Sequence, residues 1–264
     1  MLHNLRQLFR YRGLVQSLVS RELKARYRGS VLGFFWSFIN PLMLLLIYSF
    51  VFTVVLPNQQ PKEIQPYSVF VFAGLLPWTW FSSSLLESSN ALLTGGNLIK
   101  KVLFPAEVLP IVAVIANMVH FFFGLPILGL FIWYYGIPLL ISELLWFPVV
   151  VALQFVFTLG LGLLLAALTV HFRDLRDILG NLLTFWFFST PIIYSMTQAP
   201  GIGKALLNLN PFTHFVISYQ EILLYQGPFG HWRWLLVVGA IGVVQFFIGY
   251  FVFDRLRETF AEEV

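Results

Sequence analysis

Residues 21–41 read RELKARYRGSVLGFFWSFINP, and this stretch changes from a basic run to an apolar run within a few helical turns. Its four basic side chains are strongly disfavoured in hydrocarbon, whereas the apolar residues 31–39 are favoured there. The change of character places the membrane surface near Gly29. Everything before this glycine is predicted to lie on the cytoplasmic side, and the first membrane span is predicted to begin just after it.

The composition of the whole chain is that of an integral membrane protein. Of its 264 residues, 58% are apolar and only 11% are charged, and the mean hydropathy is +0.81. A soluble domain carries about a quarter charged residues. The absence of cysteine excludes disulfides and thiolate metal sites. The net charge of +4 comes from basic residues clustered at the ends of predicted spans, as topology signals do, so we expect no nucleic-acid partner.

Residues 1–29 are predicted to form a cytoplasmic amphipathic interface helix, broken near Gly13. At about 100° per residue, apolar side chains such as Val15, Val19 and Leu23 share one sector, and most of the basic ones lie opposite. Such a helix lies in the plane of the membrane surface, with its apolar face in lipid and its basic face toward headgroups or a partner. A simple positive-inside anchor is the alternative, but orientation alone needs fewer residues.

The fold class predicted from the apolar runs is an all-α membrane protein with six transmembrane helices in one domain, residues 30–264. A helix of about 20 apolar residues crosses a bilayer. The predicted spans are residues 33–56, 68–93, 107–135, 144–170, 178–194 and 234–253. Residues 195–230 carry several Pro and Gly between apolar stretches, so we interpret them as re-entrant external helices between spans 5 and 6.

The distribution of Lys and Arg supports this topology. Thirteen of these sixteen residues fall on segments predicted to be inside, and three fall outside. Both termini are therefore predicted to be cytoplasmic in a multi-pass protein of the cytoplasmic (inner) membrane. The N-terminal region has no uninterrupted apolar core or small-residue cleavage site, so we expect the first span to be retained.

The spans carry few groups that could perform chemistry. The sequence has no GxxxxGK[ST] phosphate loop, HExxH or GxSxG motif, so we expect a transport subunit, not an enzyme or an ATPase. Glu87 and His120 are isolated within spans, which is a poor basis for an ion-coupled carrier. We expect Glu87 to pair with a basic residue at the cytoplasmic rim and His120 to be a hydrogen-bonded packing residue. Gln154 and Gln245 are expected to form interhelical hydrogen bonds.

Several motifs in order then reveal a resemblance. The sequence contains RELKARYRGSVLGFFWSFINPL, GLLPWTWFSSSL, NLIKKVLFPAEVLP, HFRDLRDI, TPIIYS and LNPFTHFV. Over essentially its whole length the chain resembles the transmembrane subunit of polysaccharide-exporting ABC transporters, the O-antigen, capsule and teichoic-acid permeases. Each motif is weak alone, and the order of all six carries the resemblance.

The resemblance implies a specific assembly. Two copies of the permease would form a channel for a lipid-linked polysaccharide, and two copies of a separate nucleotide-binding ATPase would supply the energy. ATP and Mg would bind in that partner, and this chain would bind no cofactor or metal. By position, the residues that would contact the ATPase lie in the interface helix, in a coupling segment and in a second inner loop. They are Arg21, Glu22, Lys24, Arg26, Arg28, Lys100, Lys101, Phe104, Arg173, Asp174, Arg176 and Asp177.

Simpler interpretations of the same charges remain open. Lys100 and Lys101 are also explained by topology alone. The charges at residues 173–177 are also explained by local pairs three or four residues apart.

Aromatic residues of spans 1 and 5 are candidates for the channel lining. These spans line the channel in the family that the chain resembles. Aromatic faces contact sugar rings without holding the polymer tightly at any one position. The candidates are Phe34, Tyr48, Phe185, Phe188 and Tyr194. The alternative for any one of them is contact with membrane lipid or an interfacial position.

Two other functions remain possible from the sequence. One is an ABC permease for a small hydrophobic substrate or lipid. The other is a membrane-embedded enzyme acting on lipid-linked sugars, for which His214, Glu221 and His231 near the outer side are the candidates. We expect these three residues to be structural.

Overall fold

The computed structural model describes residues 11–55, 66–96, 98, 105–225 and 227–263, without the side chains of residues 34, 52, 53, 261 and 262. Within these ranges the regular structure is helical. The α-helices, in chain order, are α1 Arg12–Arg26, α2 Trp36–Phe50, α3 Tyr67–Thr94, α4 Val108–Tyr134, α5 Ile141–Leu144, α6 Phe147–His171, α7 Leu175–Phe188, α8 Gly201–Leu209, α9 Pro211–Leu224, α10 Trp232–Leu256 and α11 Phe260–Glu263. The prediction of an all-α chain agrees with this part of the structure.

The interface helix α1 packs against protein. Val19 of α1 is buried and shares an apolar cluster with Val108 and Val112 of α4. The apolar face of α1 was expected in lipid, and the structure instead places it on α4. After α1 the chain turns at Gly29, whose φ of 80° is disfavoured for residues with a Cβ. Residues 1–10 of the predicted helix lie outside the described residues.

Helix α3 is the centre of the bundle, because it contacts α2, α4, α6, α7 and α9. Most of its side chains are buried, including Trp80 and Phe81. The side-chain amide of Gln154 in α6 donates a hydrogen bond to the carbonyl of Pro77 inside α3, with an N···O distance of 2.9 Å. This bond confirms the interhelical role predicted for Gln154. It also ties α6 to the middle of the central helix.

Helices α6 and α10 form the most extensive helix pair of the fold. Glycines let their backbones approach closely, as is common between membrane helices. A Cβ added at Gly249 would overlap the carbonyl oxygen of Gly160, and one added at Gly242 would lie 3.2 Å from Cβ of Phe157. The amide of Gln245, in the orientation that satisfies both of its partners, donates to the Phe157 carbonyl at 3.1 Å. Small residues and the two hydrogen bonds of one polar side chain therefore hold this pair together.

Four helical segments among the described residues are long and apolar enough to cross a membrane. They are Tyr67–Thr94, Val108–Tyr134, Ile141–His171 and Trp232–Thr259. The predicted spans 2, 3, 4 and 6 correspond to these four segments. The predicted spans 1 and 5 correspond to shorter helices: α2 has 15 residues and continues as one π-helical stretch, Val51–Val55, and α7 has 14 residues. By helix length, the described part of the chain therefore contains four candidate membrane spans.

Helix α7 ends at Phe188, six residues before the predicted end of span 5. Pro191 disfavours continuation of the helix, and a distant residue, Asn210, stabilises its end. Its side-chain amide donates to the carbonyl of Ser189 at 2.8 Å and to the hydroxyl of Thr190 at 2.9 Å. Its oxygen accepts from Nε1 of Trp186 at 2.7 Å. These bonds satisfy polar groups at the helix end and allow the chain to turn toward α8 and α9.

Many aromatic residues pack against one another inside the protein. The rings of Phe81 and Phe212 are stacked with centroids 4.3 Å apart, and Trp78 meets Phe212 edge-on at 5.3 Å. Phe157 lies 5.9 Å from Phe81. Together with Trp186, these rings join α3, α6, α7 and α9 into one core. Much of the aromatic content thus serves packing in the bundle, in addition to the lipid and channel roles considered from the sequence.

Candidate functional site

The last turn of α1 is tied to the centre of the bundle by a cluster of polar side chains. The guanidinium group of Arg26 pairs with the carboxylate of Glu87 in α3, and its other terminal nitrogen donates to Oδ1 of Asn117 in α4 at 3.1 Å. The amide of Asn117 donates to Glu87 at 2.6 Å. Three helices therefore meet at one hydrogen-bonded charge pair. The prediction that Glu87 pairs with a basic residue is confirmed, and the position of this pair at the cytoplasmic rim stays a prediction.

This cluster lies within α3, one of the helices long and apolar enough to cross a membrane. Glu87 is seven residues before the C-terminal end of α3 at Thr94, which corresponds to about 10 Å along the helix. A charge at that depth is tolerated when it is paired and hydrogen-bonded. Arg26 departs from the amphipathic pattern of α1 because it points into the bundle. Sequence reasoning missed Asn117, although a lone amide in a span was a signal that a polar partner lay nearby.

A second set of hydrogen bonds adjoins this cluster. The hydroxyl of Tyr27 lies 2.7 Å from the hydroxyl of Ser37 at the start of α2 and 3.4 Å from Nδ1 of His120 in α4. Nε2 of His120 is buried and has no hydrogen-bond partner within the described part of the chain. The bonds at Tyr27 connect the end of the interface helix to α2 and α4. Arg26 and Tyr27, at the end of the interface helix, therefore anchor this helix to α2, α3 and α4.

The other charges predicted to couple to an ATPase differ in their surroundings. Glu22 lies 3.8 Å from Nε of Arg26, whereas Arg21, Lys24 and Arg28 are exposed. The four charged residues of the loop at 173–177 are also exposed. Among the residues that the structure describes, no ion pair is found within this loop, which argues against the local pairing considered from the sequence. Lys100, Lys101 and Phe104 lie outside the described residues.

The channel candidates occupy two neighbouring elements. Tyr48 of α2 packs against Phe187 of α7, with ring centroids 6.5 Å apart. Phe185 and Phe188 of α7 are 73% and 59% exposed, respectively. The hydroxyl of Tyr194 donates to the carbonyl of Phe188 at 2.8 Å. The backbone of Phe34 forms part of a short 3₁₀ turn, while its side chain lies outside the described atoms. An exposed aromatic face of α7 is therefore present, and its contact with substrate stays a prediction.

The structure brings together the three residues that an enzyme would have used. Nδ1 of His214 lies 2.9 Å from Nε2 of His231, and Nε2 of His214 lies 3.0 Å from the carbonyl of Asn208. Because a carbonyl only accepts, Nε2 of His214 donates to it and Nδ1 accepts from His231. The carboxylate of Glu221 accepts from the backbone amides of Gly230 and His231 at 3.3 and 3.0 Å. These polar groups therefore hold the loop before α10 in place.

The imidazole pair also predicts a dependence of stability on pH. Burial, and then the nearby His214, lower the pKa of His231 from 6.5 to about 4. The unfolded chain therefore takes up this proton at a higher pH than the folded chain, so the contribution to stability is lost as pH falls from about 6.5 toward about 4. We expect the melting temperature to drop when the pH is lowered through this range. His231→Gln should make this drop smaller, and an identical pH profile would contradict the assignment.

A metal centre finds no support in this geometry. Within the described ranges, no group of three or more His, Asp or Glu side chains is arranged to hold a metal ion. The polar cluster at Arg26 and the outer histidine pair are both satisfied mainly by groups of the protein itself. The arrangement suits mechanical linkage between helices better than covalent chemistry.

The chain is similar to known transport proteins over most of its length. The family model described as ABC-2 type transporter matches residues 13–224. The O-antigen export system permease protein RfbA of Myxococcus xanthus is 42% identical over 266 residues, which cover 100% of both chains. A protein of the same name from Klebsiella pneumoniae is 30% identical over 262 residues, or 99% of this chain and 98% of the relative. The polysialic acid transport protein KpsM of Escherichia coli is 24% identical over 92% of this chain and 93% of its own.

Proposed function

Because the chain belongs to the ABC-2 type transporter family, we propose that it is the permease subunit of an ATP-driven exporter that moves a lipid-linked polysaccharide across the cytoplasmic membrane. The observation that carries this proposal is the 42% identity to an O-antigen export permease along the whole of both chains. The chain is a transport subunit and not an enzyme. Its nucleotide-binding partner would hold ATP and Mg and would supply the energy.

The cluster at Arg26 suggests how that energy reaches the spans. Arg21 and Lys24 of α1 and Arg28 just after its end are exposed, so their charges are accessible to a partner. Arg26 and Tyr27 then connect α1 to α2, α3 and α4. A push on α1 by an ATPase would therefore displace several spans together, since packed helices move as rigid bodies. The segment around Lys100, Lys101 and Phe104 and the charged loop at 173–177 would provide further contacts.

Export of a polymer requires a continuous path, and we propose that two copies of the chain form it. The side chains that would face this path are Phe34, Tyr48, Phe185, Phe188 and Tyr194. The exposure of Phe185 and Phe188 supports the choice of α7 as one wall. Aromatic faces make apolar contacts with sugar rings. Because no charged side chain binds one ring tightly, the polymer is able to slide.

The proposed topology has six spans and both termini in the cytoplasm. The four long helices supply four crossings, while α2 with its π-helical extension and α7 with the following turn would supply the others. Helices α8 and α9 would lie at the outer side as re-entrant elements. The apolar side chains Ile202 and Leu206 of α8 are 81% and 64% exposed, which suits contact with lipid at the outer leaflet.

Co-purification with the ATPase tests the proposal. We expect the affinity-tagged chain, expressed with its cognate ATPase, to co-purify with that ATPase in a 1:1 ratio, as the two-plus-two assembly requires. Failure to recover any ATPase from membranes that contain both proteins would overturn the proposed function.

Neutralising two exposed charges of α1 should weaken this contact. Arg21→Gln combined with Lys24→Gln is expected to lower the recovered ATPase several-fold, because both side chains are free to meet a partner and neither supports the fold. The matched control is Arg233→Gln near the opposite end of the bundle, where the guanidinium lies over the Trp232 ring. Equal amounts of ATPase recovered with the double variant and with the control would contradict a contact between this face of α1 and the ATPase.

A further inference from the structure

A cavity of about 400 Å³ lies inside the protomer, between the end of α1, the first half of α2, the middle of α3 and α4. It is lined partly by apolar side chains such as Leu44 and Leu76 and partly by polar ones. The uncharged polar side chains that line it are Tyr27, Ser37, Asn40, Thr79, Ser83, Asn117 and His120. Asn40 is exposed and Ser83 is half-buried, so a ligand entering the cavity is able to contact both.

Several of these polar groups lack a protein partner. Within the described part of the chain, no hydrogen bond joins the amide of Asn40 or the hydroxyl of Ser83 to another group. Nε2 of His120 is buried and also unpartnered there. Together, an amide, a hydroxyl and an imidazole nitrogen provide both hydrogen-bond donors and hydrogen-bond acceptors. The cavity therefore offers a mixed set of hydrogen-bonding groups that the fold itself does not use.

The charge of the cavity is already balanced. Its cation is Arg26, whose guanidinium group is engaged by Glu87 and by Asn117. An anionic group such as a phosphate needs uncompensated positive charge or several free N–H donors. A neutral molecule with hydroxyl groups needs donors and acceptors together with an apolar surface for its C–H faces. The lining of this cavity matches the second description.

We propose that this cavity binds an uncharged sugar ring. The volume lies within the range of ordinary small-molecule pockets. Trp36 lines it and is 37% exposed, so an indole face is available beside the hydrogen-bonding groups. Ser83 lies eleven residues before Thr94, which places it about 16 Å from the inner end of α3 and near the middle of a bilayer of about 30 Å.

The inference rests on the proposed function and extends it. As a glycan moves along the channel, a polar side cavity would bind its rings weakly and one after another, so that the polymer still advances. Because the same cavity borders Arg26 and Tyr27, an occupied site would be sensed at the joint between α1 and the spans. Asn40 and Ser83 are the residues that the structure assigns to sugar contact.

Ligand-observed NMR on the permease–ATPase complex in lipid nanodiscs tests the inference. The probes are neutral monosaccharides, namely glucose, galactose, mannose, rhamnose and N-acetylglucosamine, observed by their protons, with inorganic phosphate as a separate arm observed by phosphorus NMR. We expect saturation transfer to at least one sugar and no broadening of the phosphate signal beyond that caused by the ATPase alone. Asn40→Leu should weaken that binding roughly five- to tenfold, the effect of losing one or two hydrogen bonds, and Ser83→Ala should weaken it in the same direction. Asn90→Leu, on α3 but outside this cavity, is the matched control.

The outcomes separate this inference from the proposed function. Absence of sugar binding to the wild-type complex would overturn it, as would binding of phosphate alone. Sugar binding that is equal in Asn40→Leu and Asn90→Leu would overturn it as well, because the site would then lie elsewhere. A complex that exports glycan with ATP but binds no monosaccharide would contradict only the proposed sugar site. Failure of the chain to recruit an ATPase would contradict the proposed function instead.

Discussion

Glu87→Ala is expected to destabilise the protein strongly and to abolish ATP-driven export. The substitution leaves the guanidinium group of Arg26 in the bundle without its carboxylate partner. The side chains of Arg26 and Glu87 are 22% and 37% exposed, so losing the pair costs less than in a fully buried pair and more than at the surface, about 1–3 kcal/mol. Asn117 also loses an acceptor for its amide. The expected result is a lower melting temperature in detergent and loss of the connection between α1 and α3.

Matched variants distinguish loss of the pair from loss of any carboxylate. Glu22→Ala removes an acidic group 3.8 Å from Nε of Arg26 but leaves Glu87 in place, so we expect almost no change. Arg26→Met combined with Glu87→Met should recover most of the stability, since apolar residues often replace a buried pair without loss. Thermal melting followed by size-exclusion chromatography measures all three variants. A Glu87→Ala protein as stable as the wild type would show that the pair does not hold the helices together.

Gly249→Ala is expected to have a comparable effect on the opposite side of the bundle. Its new methyl group would overlap the carbonyl oxygen of Gly160. The obstacle is backbone, which cannot change rotamer, so α6 and α10 must separate along the most extensive helix pair of the fold. Overpacking of this kind costs about 1–3 kcal/mol or more, and the melting temperature should fall by roughly 5 °C or more.

Gly129→Ala is the control for this substitution. It introduces the same methyl group into another long helix, α4, at a position with nothing within 4 Å of the new atom. Alanine also favours the helix more than glycine does. We therefore expect no loss of stability from Gly129→Ala. Equal melting temperatures for Gly249→Ala and Gly129→Ala would contradict the close packing of α6 and α10.

The long spans were predictable because a single physical rule fixes them. Residues 68–93 and 107–135 were predicted as spans, and the structure has helices at Tyr67–Thr94 and Val108–Tyr134. An apolar run of this length has little alternative to a helix in lipid, where each backbone polar group must be satisfied internally. The same rule applied to residues 144–170 and 234–253.

The end of α7 was only partly predictable from its own sequence. Pro191 indicates a helix end nearby, but the bonds from Asn210 to Ser189 and Thr190 that stabilise the turn were not visible. Contacts between residues about twenty positions apart leave no mark on hydrophobic periodicity. The packing of Phe81 against Phe212 was hidden for the same reason. By contrast, the pairing of Glu87 was predictable, because an isolated carboxylate within a span requires a partner.

The central claim is that this chain is a passive conduit whose energy comes from a separate ATPase. The most direct measurement is transfer of a fluorescent lipid-linked glycan across the membrane of proteoliposomes that contain the permease alone, or the permease with its cognate ATPase. We predict transfer only when both proteins and hydrolysable ATP are present. Transfer by the permease alone would contradict the claim, and so would ATP hydrolysis by the reconstituted pair without any movement of the glycan.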